Sequence, residues 1–222
     1  MDAGAPAPAS GVRKRRRGGR VGKIDIEDVS FAYEDVAAGG RPTAPAPSAC
    51  RALRDVALEV PDGQFLCVIG HSGSGKTTLL RLVAGLSRPS AGTVRIDGKE
   101  VSIRKPQDAI DNKIAFLTED RRGMGCFLEL PMYDNTLQLV WKQVRTLAGL
   151  SGQKGKKLVQ GQIDRFSIRS AGQSQRIGEL SGGNQQKVLL ARSMLTQPEI
   201  FIMDEPTKGI DVGSKYEIYL DM

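Results

Sequence analysis

The run Gly70-His71-Ser72-Gly73-Ser74-Gly75-Lys76-Thr77 constrains this chain more than any other feature. It fits the pattern GxxxxGK[ST], and it lies between a continuous apolar run at 65–69 and an apolar stretch at 79–86. The first run reads as a strand buried on both faces, the second as a helix. A glycine-rich turn between those elements suits one task above others, holding a triphosphate on backbone N–H groups at a helix N-terminus. Glycine permits the positive φ angles and the close backbone approach that such a cradle needs. Lys76 is expected to reach the β- and γ-phosphates and the Thr77 hydroxyl to ligate Mg2+. Gly70, Ser72, Gly73, Ser74 and Gly75 line the loop, and Thr78 extends the same turn. His71 falls at a variable position and reads as filler within the cradle rather than as a base.

A second element supplies the acids. Ile200-Phe201-Ile202-Met203 is an apolar strand that ends in Asp204-Glu205. Adjacent carboxylates at the C-terminal edge of a parallel sheet lie where nucleotides bind. Asp204 is the expected metal ligand and Glu205 the group that orients the attacking water.

Composition excludes several other classes. Among 222 residues there are 32 Lys+Arg, 25 Asp+Glu and one His, and 40% are hydrophobic. No stretch approaches the roughly 18 consecutive apolar residues of a membrane span, and no apolar run precedes the first arginines as a secretory leader requires. Cys50, Cys67 and Cys126 are odd in number and lack metal-ligand spacing, which fits a reducing, cytoplasmic setting. The net charge of +7 is concentrated in residues 1–23, with seven bases against Asp2, and the rest is close to neutral. No global basic field recruits nucleic acid, so none is expected as a partner. Residues 1–22, rich in Pro, Gly, Ala and Arg, read as a disordered basic tail, either a solvated leader or a segment attracted to anionic lipid or RNA.

Along the chain, residues 23–34 alternate as a half-buried strand, and 36–50 form a Pro/Ala/Gly loop. A second strand is expected near 53–60. A hairpin is expected over 93–96 and 99–103, turning at Asp97-Gly98. Residues 119–180 read as mostly helical with a Gly- and Lys-rich break at 151–157, the strand signal returns at 200–203, and 216–222 read as helix. The fold class is thus α/β.

Leu180-Ser181-Gly182-Gly183-Asn184-Gln185-Gln186-Lys187 narrows the choice. Ser181 is a good N-cap, and the two glycines expose amides at a helix start, a second anion site. The octapeptide resembles the signature of the ATP-binding cassette (ABC) ATPases, and it precedes the Asp204-Glu205 strand as it does in that family. The resemblance covers residues 24–222 and implies a P-loop NTPase fold with an N-terminal antiparallel β element and a helical subdomain, here about 119–180. It implies ATP and Mg2+ as ligands and a second cassette as partner, with Ser181, Gly182 and Gly183 covering the γ-phosphate held by the opposite phosphate loop. Tyr33 matches the family's aromatic loop, whose ring stacks on adenine; the alternative is an outward strand aromatic. Asp211, in Lys208-Gly209-Ile210-Asp211, would contact the partner. Glu119, in Thr118-Glu119-Asp120-Arg121, stands where most cassettes place a glutamine that senses metal and water and couples to the transmembrane partner.

The first half, through Gly98, looks like cassettes of nitrate, sulfonate and taurine importers. The second, with TEDRRG and GIDVGSKYEIY, looks like the second cassette of ribose- and xylose-type sugar importers. What the resemblance implies is a sugar importer's ATPase subunit, peripheral on the inner face of the membrane, working with permease subunits and a solute-binding protein. The chain ends before the strand that carries the family's switch residue, so the reading is of a C-terminally truncated cassette with turnover in question. The alternative is a non-catalytic module that binds ATP and pairs. A soluble cassette acting on nucleic acid has only the tail in its favour.

Overall fold

The computed structural model describes residues 23–33, 51–147 and 149–221. The basic tail at 1–22 and the loop at 36–50 lie outside the described residues. Strand β1 (Ile24–Ala32) pairs antiparallel with β2 (Arg51–Val60), from Ile24 opposite Val60 to Ala32 opposite Arg51. Its other edge takes β3 (Ala91–Ile96), which turns through Asp97-Gly98 into the short β4 (Lys99–Glu100). Both turn residues have positive φ, 50° and 71°, as a tight hairpin turn requires. The order β2-β1-β3-β4 is the antiparallel element expected from the sequence. The pairing of β1 slips near Asp28, whose φ is 49°. That irregularity resets the alternation, so that Ile26 and Val29, three residues apart, both enter one core.

That core also takes Leu82 and Val83 of α1 (Lys76–Val83) and Ile114, Ile200 and Ile202 of a second, parallel pair. There, β5 (Ile114–Leu117) follows α2 (Pro106–Asp111) and pairs in register with β8 (Ile200–Met203), Ile114 opposite Ile200 and Leu117 opposite Met203. Lys23 clips the two parts together, donating to Asp97 at 3.0 Å and Glu199 at 2.6 Å. These two carboxylates raise its pKa against the opposing effect of burial.

Between β5 and β8 come α3 (Met132–Leu137), the two-residue strands β6 (Arg145–Thr146) and β7 (Gly149–Leu150), α4 (Gly152–Arg165) and α5 (Gly182–Met194). Helix α6 (Val212–Asp221) ends the described chain. Leu117, Ile177, Val188, Leu189, Leu190 and Ile218 form a second core, and Leu137, Val140, Val144, Val159 and Leu195 a third.

Three expectations are corrected. Residues 65–69 form no strand: they carry no ladder among the described residues, and Phe65 and Ile69 are 81% and 88% exposed. A five-residue run has β preference without β stability until a neighbouring strand pairs with it, and the described parallel strands β5 and β8 pair with each other. The break at 151–157 is instead the first half of α4, started by Ser151, whose hydroxyl accepts from the Lys154 amide. Gly155 and Val159 are buried four residues apart on one face of that helix. Residues 119–180 are also less helical than expected, because they include a π-helical turn (Arg121–Gly125), two 3-10 turns and the β6–β7 hairpin. Elsewhere the boundaries shift: α1 starts three residues before the expected helix and α6 four residues before.

Candidate functional site

The phosphate loop leads directly into α1. Gly75 sits at its N-cap with φ 88°, and a Cβ there would lie 2.6 Å from the Ala52 carbonyl oxygen and 2.8 Å from Leu53 Cδ2. Only glycine fits both the angle and the approach of β2. Lys76 Nζ folds back over its own loop and donates to the carbonyls of Gly70 at 2.7 Å and His71 at 2.9 Å. The Ser74 amide closes the turn on the His71 carbonyl at 3.2 Å. This gathers Gly70 through Lys76 in one tight turn whose ammonium lies across it. The His71 side chain is exposed. Thr78 is buried and shares a 2.9 Å hydrogen bond with the Tyr33 hydroxyl. Tyr33 therefore does more than point outward: its hydroxyl is tied to α1, its ring stands edge-on to Phe31 at 5.0 Å, and it stays half-exposed.

The two motifs read from distant parts of the sequence meet at Thr77. Its Oγ1 donates to Asp204 Oδ1 at 3.2 Å, across 127 positions of chain. The Asp204 amide donates to the Leu117 carbonyl, so the parallel β5–β8 pair aims this carboxyl at α1. Asp204 is 5% exposed. Burial pushes its pKa above the ordinary value; the Thr77 hydrogen bond opposes that, Glu119 and Glu205 add to it, and Lys208 opposes it. Glu205 carries φ 44°, a sparsely populated conformation for a side chain of this size, and its carboxylate is half-exposed. Lys208 Nζ lies 3.0 Å from Glu119 Oε1 and 3.5 Å from Glu205 Oε2. Its pKa is raised, first by the Glu119 hydrogen bond.

A hydroxyl and a carboxylate in contact at the end of a glycine-rich loop fit Mg2+, a hard cation that takes few protein oxygens and fills its remaining positions with water and phosphate. Among the described residues no group of three or more His, Cys, Asp or Glu converges as a metal site of its own. Glu119, the expected sensor of metal and water, accepts a hydrogen bond from Lys208 Nζ at 3.0 Å.

Ser181 caps α5, its Oγ accepting from the Asn184 amide at 3.4 Å and from the Asn184 side chain at 2.8 Å. Gly182 and Gly183 form the first turn behind it. Among the described residues no hydrogen bond joins Ser181, Gly182 or Gly183 to the phosphate loop of the same chain. Asp211 is exposed at the start of α6, where its carbonyl accepts from the Lys215 amide. Sequence reasoning gave no role to Lys208 or Arg121. Only the folded chain shows what each touches.

A glycine-rich turn leading into α1, an acidic strand end against its threonine and a separate glycine-started helix together define a nucleotide-binding cassette of the P-loop class. The sequence model of the ABC transporter family matches residues 53–208, and the chain belongs to that family. The chain is 41% identical over 167 residues to a galactose/methyl galactoside import ATP-binding protein of Photobacterium profundum, covering 74% of this chain and 34% of that protein. It is 38% identical over 194 residues to one of Vibrio vulnificus, covering 87% of this chain and 37% of that one. It thus spans about a third of the length of these relatives. Among solved structures, a dimeric ATP-binding cassette in a post-hydrolysis state bound to ADP and Pi superposes with a TM-score of 0.72. It is 24% identical, and the match covers 89% of this chain and 80% of that one. A nucleotide-free cassette from an ABC transporter superposes at 0.67 with 20% identity, covering 89% of this chain and 74% of that one. At such identities these likenesses concern the fold. Among the described residues no helix is long and apolar enough to cross a membrane.

Proposed function

We propose that this chain binds and hydrolyses ATP in a sugar importer, with a second cassette as its partner and permease subunits in the membrane as the recipients of its motion. The observation that carries this reading is the Thr77–Asp204 contact at 3.2 Å. It joins the phosphate loop to the acidic strand end and leaves Glu205 at the next position, half-exposed. The import names of the relatives from Photobacterium profundum and Vibrio vulnificus support sugar as cargo and galactose-like sugars as its class. The alignment with the second reaches 87% of this chain. A solute-binding protein fits the same system, and residues 119–180 read as the segment that meets the permease.

In this reading the loop amides from Gly70 to Thr78 and the Lys76 ammonium hold the phosphates, and the Tyr33 ring lies against the base. Thr77 and Asp204 hold Mg2+, which when bound neutralises charge on the β- and γ-phosphates. Glu119 lies beside them as the sensor of metal and water. Glu205 accepts a proton from water as its oxygen attacks the γ-phosphorus and the bond to the bridging oxygen breaks. Ser181, Gly182 and Gly183 cover the γ-phosphate of a nucleotide held by the second cassette, and Asp211 meets the partner beside them. Membrane association comes through the permease. The test is Glu205→Gln. It should keep ATP binding and lower single-turnover hydrolysis by about 10²–10⁴-fold; unchanged hydrolysis would remove Glu205 from this role.

A further inference from the structure

Arg121 opens the π-helical turn that follows β5, and Asp120 ties that turn down by accepting from the Gly123 amide at 2.8 Å. The Arg121 Nε donates to Gln185 Oε1 at 3.1 Å. Gln185 is 1% exposed and has its amide nitrogen committed to the carbonyls of Ile177 at 3.1 Å and Leu180 at 3.0 Å. Its oxygen has no other way to face, so a buried glutamine fixes the guanidinium.

The fixed group points across the start of α5. A Cβ on Gly182 would lie 3.1 Å from Arg121 Nη2 and 3.5 Å from the Gly209 carbonyl oxygen. A side chain at Gly182 would crowd Arg121 Nη2, so the glycine leaves the guanidinium room beside the signature backbone. Among the described residues no carboxylate pairs with Arg121, although it is half-buried. A guanidinium there, with its Nε taken by Gln185, keeps its two terminal nitrogens as parallel donors beside the positive end of a 13-residue helix. Lysine has no such planar fork.

We propose that Arg121 is a phosphate-binding residue of the signature. With Ser181 and the first amides of α5, it receives the terminal phosphate of ATP lodged in the phosphate loop of a second cassette. The assignment rests on the two-cassette reading above and adds to it a charged ligand that acts between chains.

Two marked forms of the full chain test this. One carries Lys76→Ala, which disables its own phosphate loop and leaves it only a signature to lend; the other carries Glu205→Gln and keeps its loop. Association of the pair is followed by sedimentation against Mg-ATP concentration. Arg121→Gln on the first form should raise the ATP needed for pairing about tenfold or more, the effect of losing a charge-assisted hydrogen bond. The same change on the second form should leave pairing unaltered, and Arg121→Lys on the first should restore part of it. With ADP in place of ATP, Arg121 should make no difference. Undiminished pairing with Arg121→Gln on the first form, or equal loss from either form, would overturn the assignment, the latter marking a merely structural role. Failure of the pair to associate with Arg121 intact would overturn the two-cassette reading and this assignment with it.

Discussion

The ammonium of Lys208 lies 3.0 Å from Glu119 Oε1 and reaches Glu205 as well, so one cation neutralises the two carboxylates that flank Asp204. All three side chains are exposed to water by a third or more, so the pairs do little for stability. Their effect falls on the local potential. Removing a positive charge beside carboxylates favours a second cation nearby. Lys208→Met should lower the Mg2+ concentration that half-saturates ATP turnover by about three- to tenfold, with the melting temperature shifted by no more than about 2 °C. A Mg2+ titration checks this, and an unchanged or higher half-point would show that the ammonium does not compete.

Lys76 places its charge over the Gly70 and His71 carbonyls, across the turn proposed to hold the phosphates. Lys76→Ala should abolish detectable ATP binding in equilibrium dialysis while the chain keeps its far-ultraviolet circular dichroism. Tight binding by this variant would count against the loop as the nucleotide site.

Gly75 is the position where the cradle tolerates no side chain, because its φ is 88° and β2 crowds it. Gly75→Ala should destabilise the fold by about 1–3 kcal/mol in urea titrations, the range for a side chain forced into left-handed backbone, and weaken ATP binding with it. A variant with parent-like stability would show that the loop relaxes at no cost.

Cys126 is buried and Cys67 exposed. Burial lifts the Cys126 pKa from 9.0 to about 11, against the opposing effects of Arg192 and Arg121. A thiol that stays protonated in the folded chain but ionises on unfolding favours the unfolded state as pH rises. Its contribution is therefore intact below pH 9.0 and lost between there and about pH 11. Replacing Cys126 by Ala should flatten that part of the stability curve by about 2 kcal/mol. A thiol reagent at pH 8 should modify Cys67 and spare Cys126 until the chain unfolds; equal rates for both would contradict the burial.

Much of the site was legible in residue order. Gly70 through Thr78, Asp204-Glu205 and Ser181 through Gly183 are contiguous, and each group serves as a block whose chemistry is local: amides at a helix start, acids at a strand end, a hydroxyl cap. The antiparallel element followed from alternation in 23–34, a second strand expected near 53–60 and a hairpin turning at Asp97-Gly98. Residues 65–69 were misread because continuous apolarity reports a preference for burial without saying which strand will pair with it. Residues 151–157 were misread because local glycine and lysine content outweighed the four-residue spacing of Gly155 and Val159, which gains its meaning only when a partner surface buries that face.

By itself, the order of residues determined that this chain places a glycine-rich turn before one helix, ends a strand in two acids and starts another helix with glycines, since those properties depend on neighbours within a few positions. Tertiary structure alone decided that Thr77 meets Asp204, that Lys208 spans Glu119 and Glu205, and that Gln185 turns Arg121 onto Gly182. Those pairings join residues from 61 to 127 positions apart, apart from the local Lys208–Glu205. Contacts of that kind are set by how β5, β8, α1 and α5 share their cores, and no local pattern encodes the direction in which a long charged side chain settles once those cores have formed.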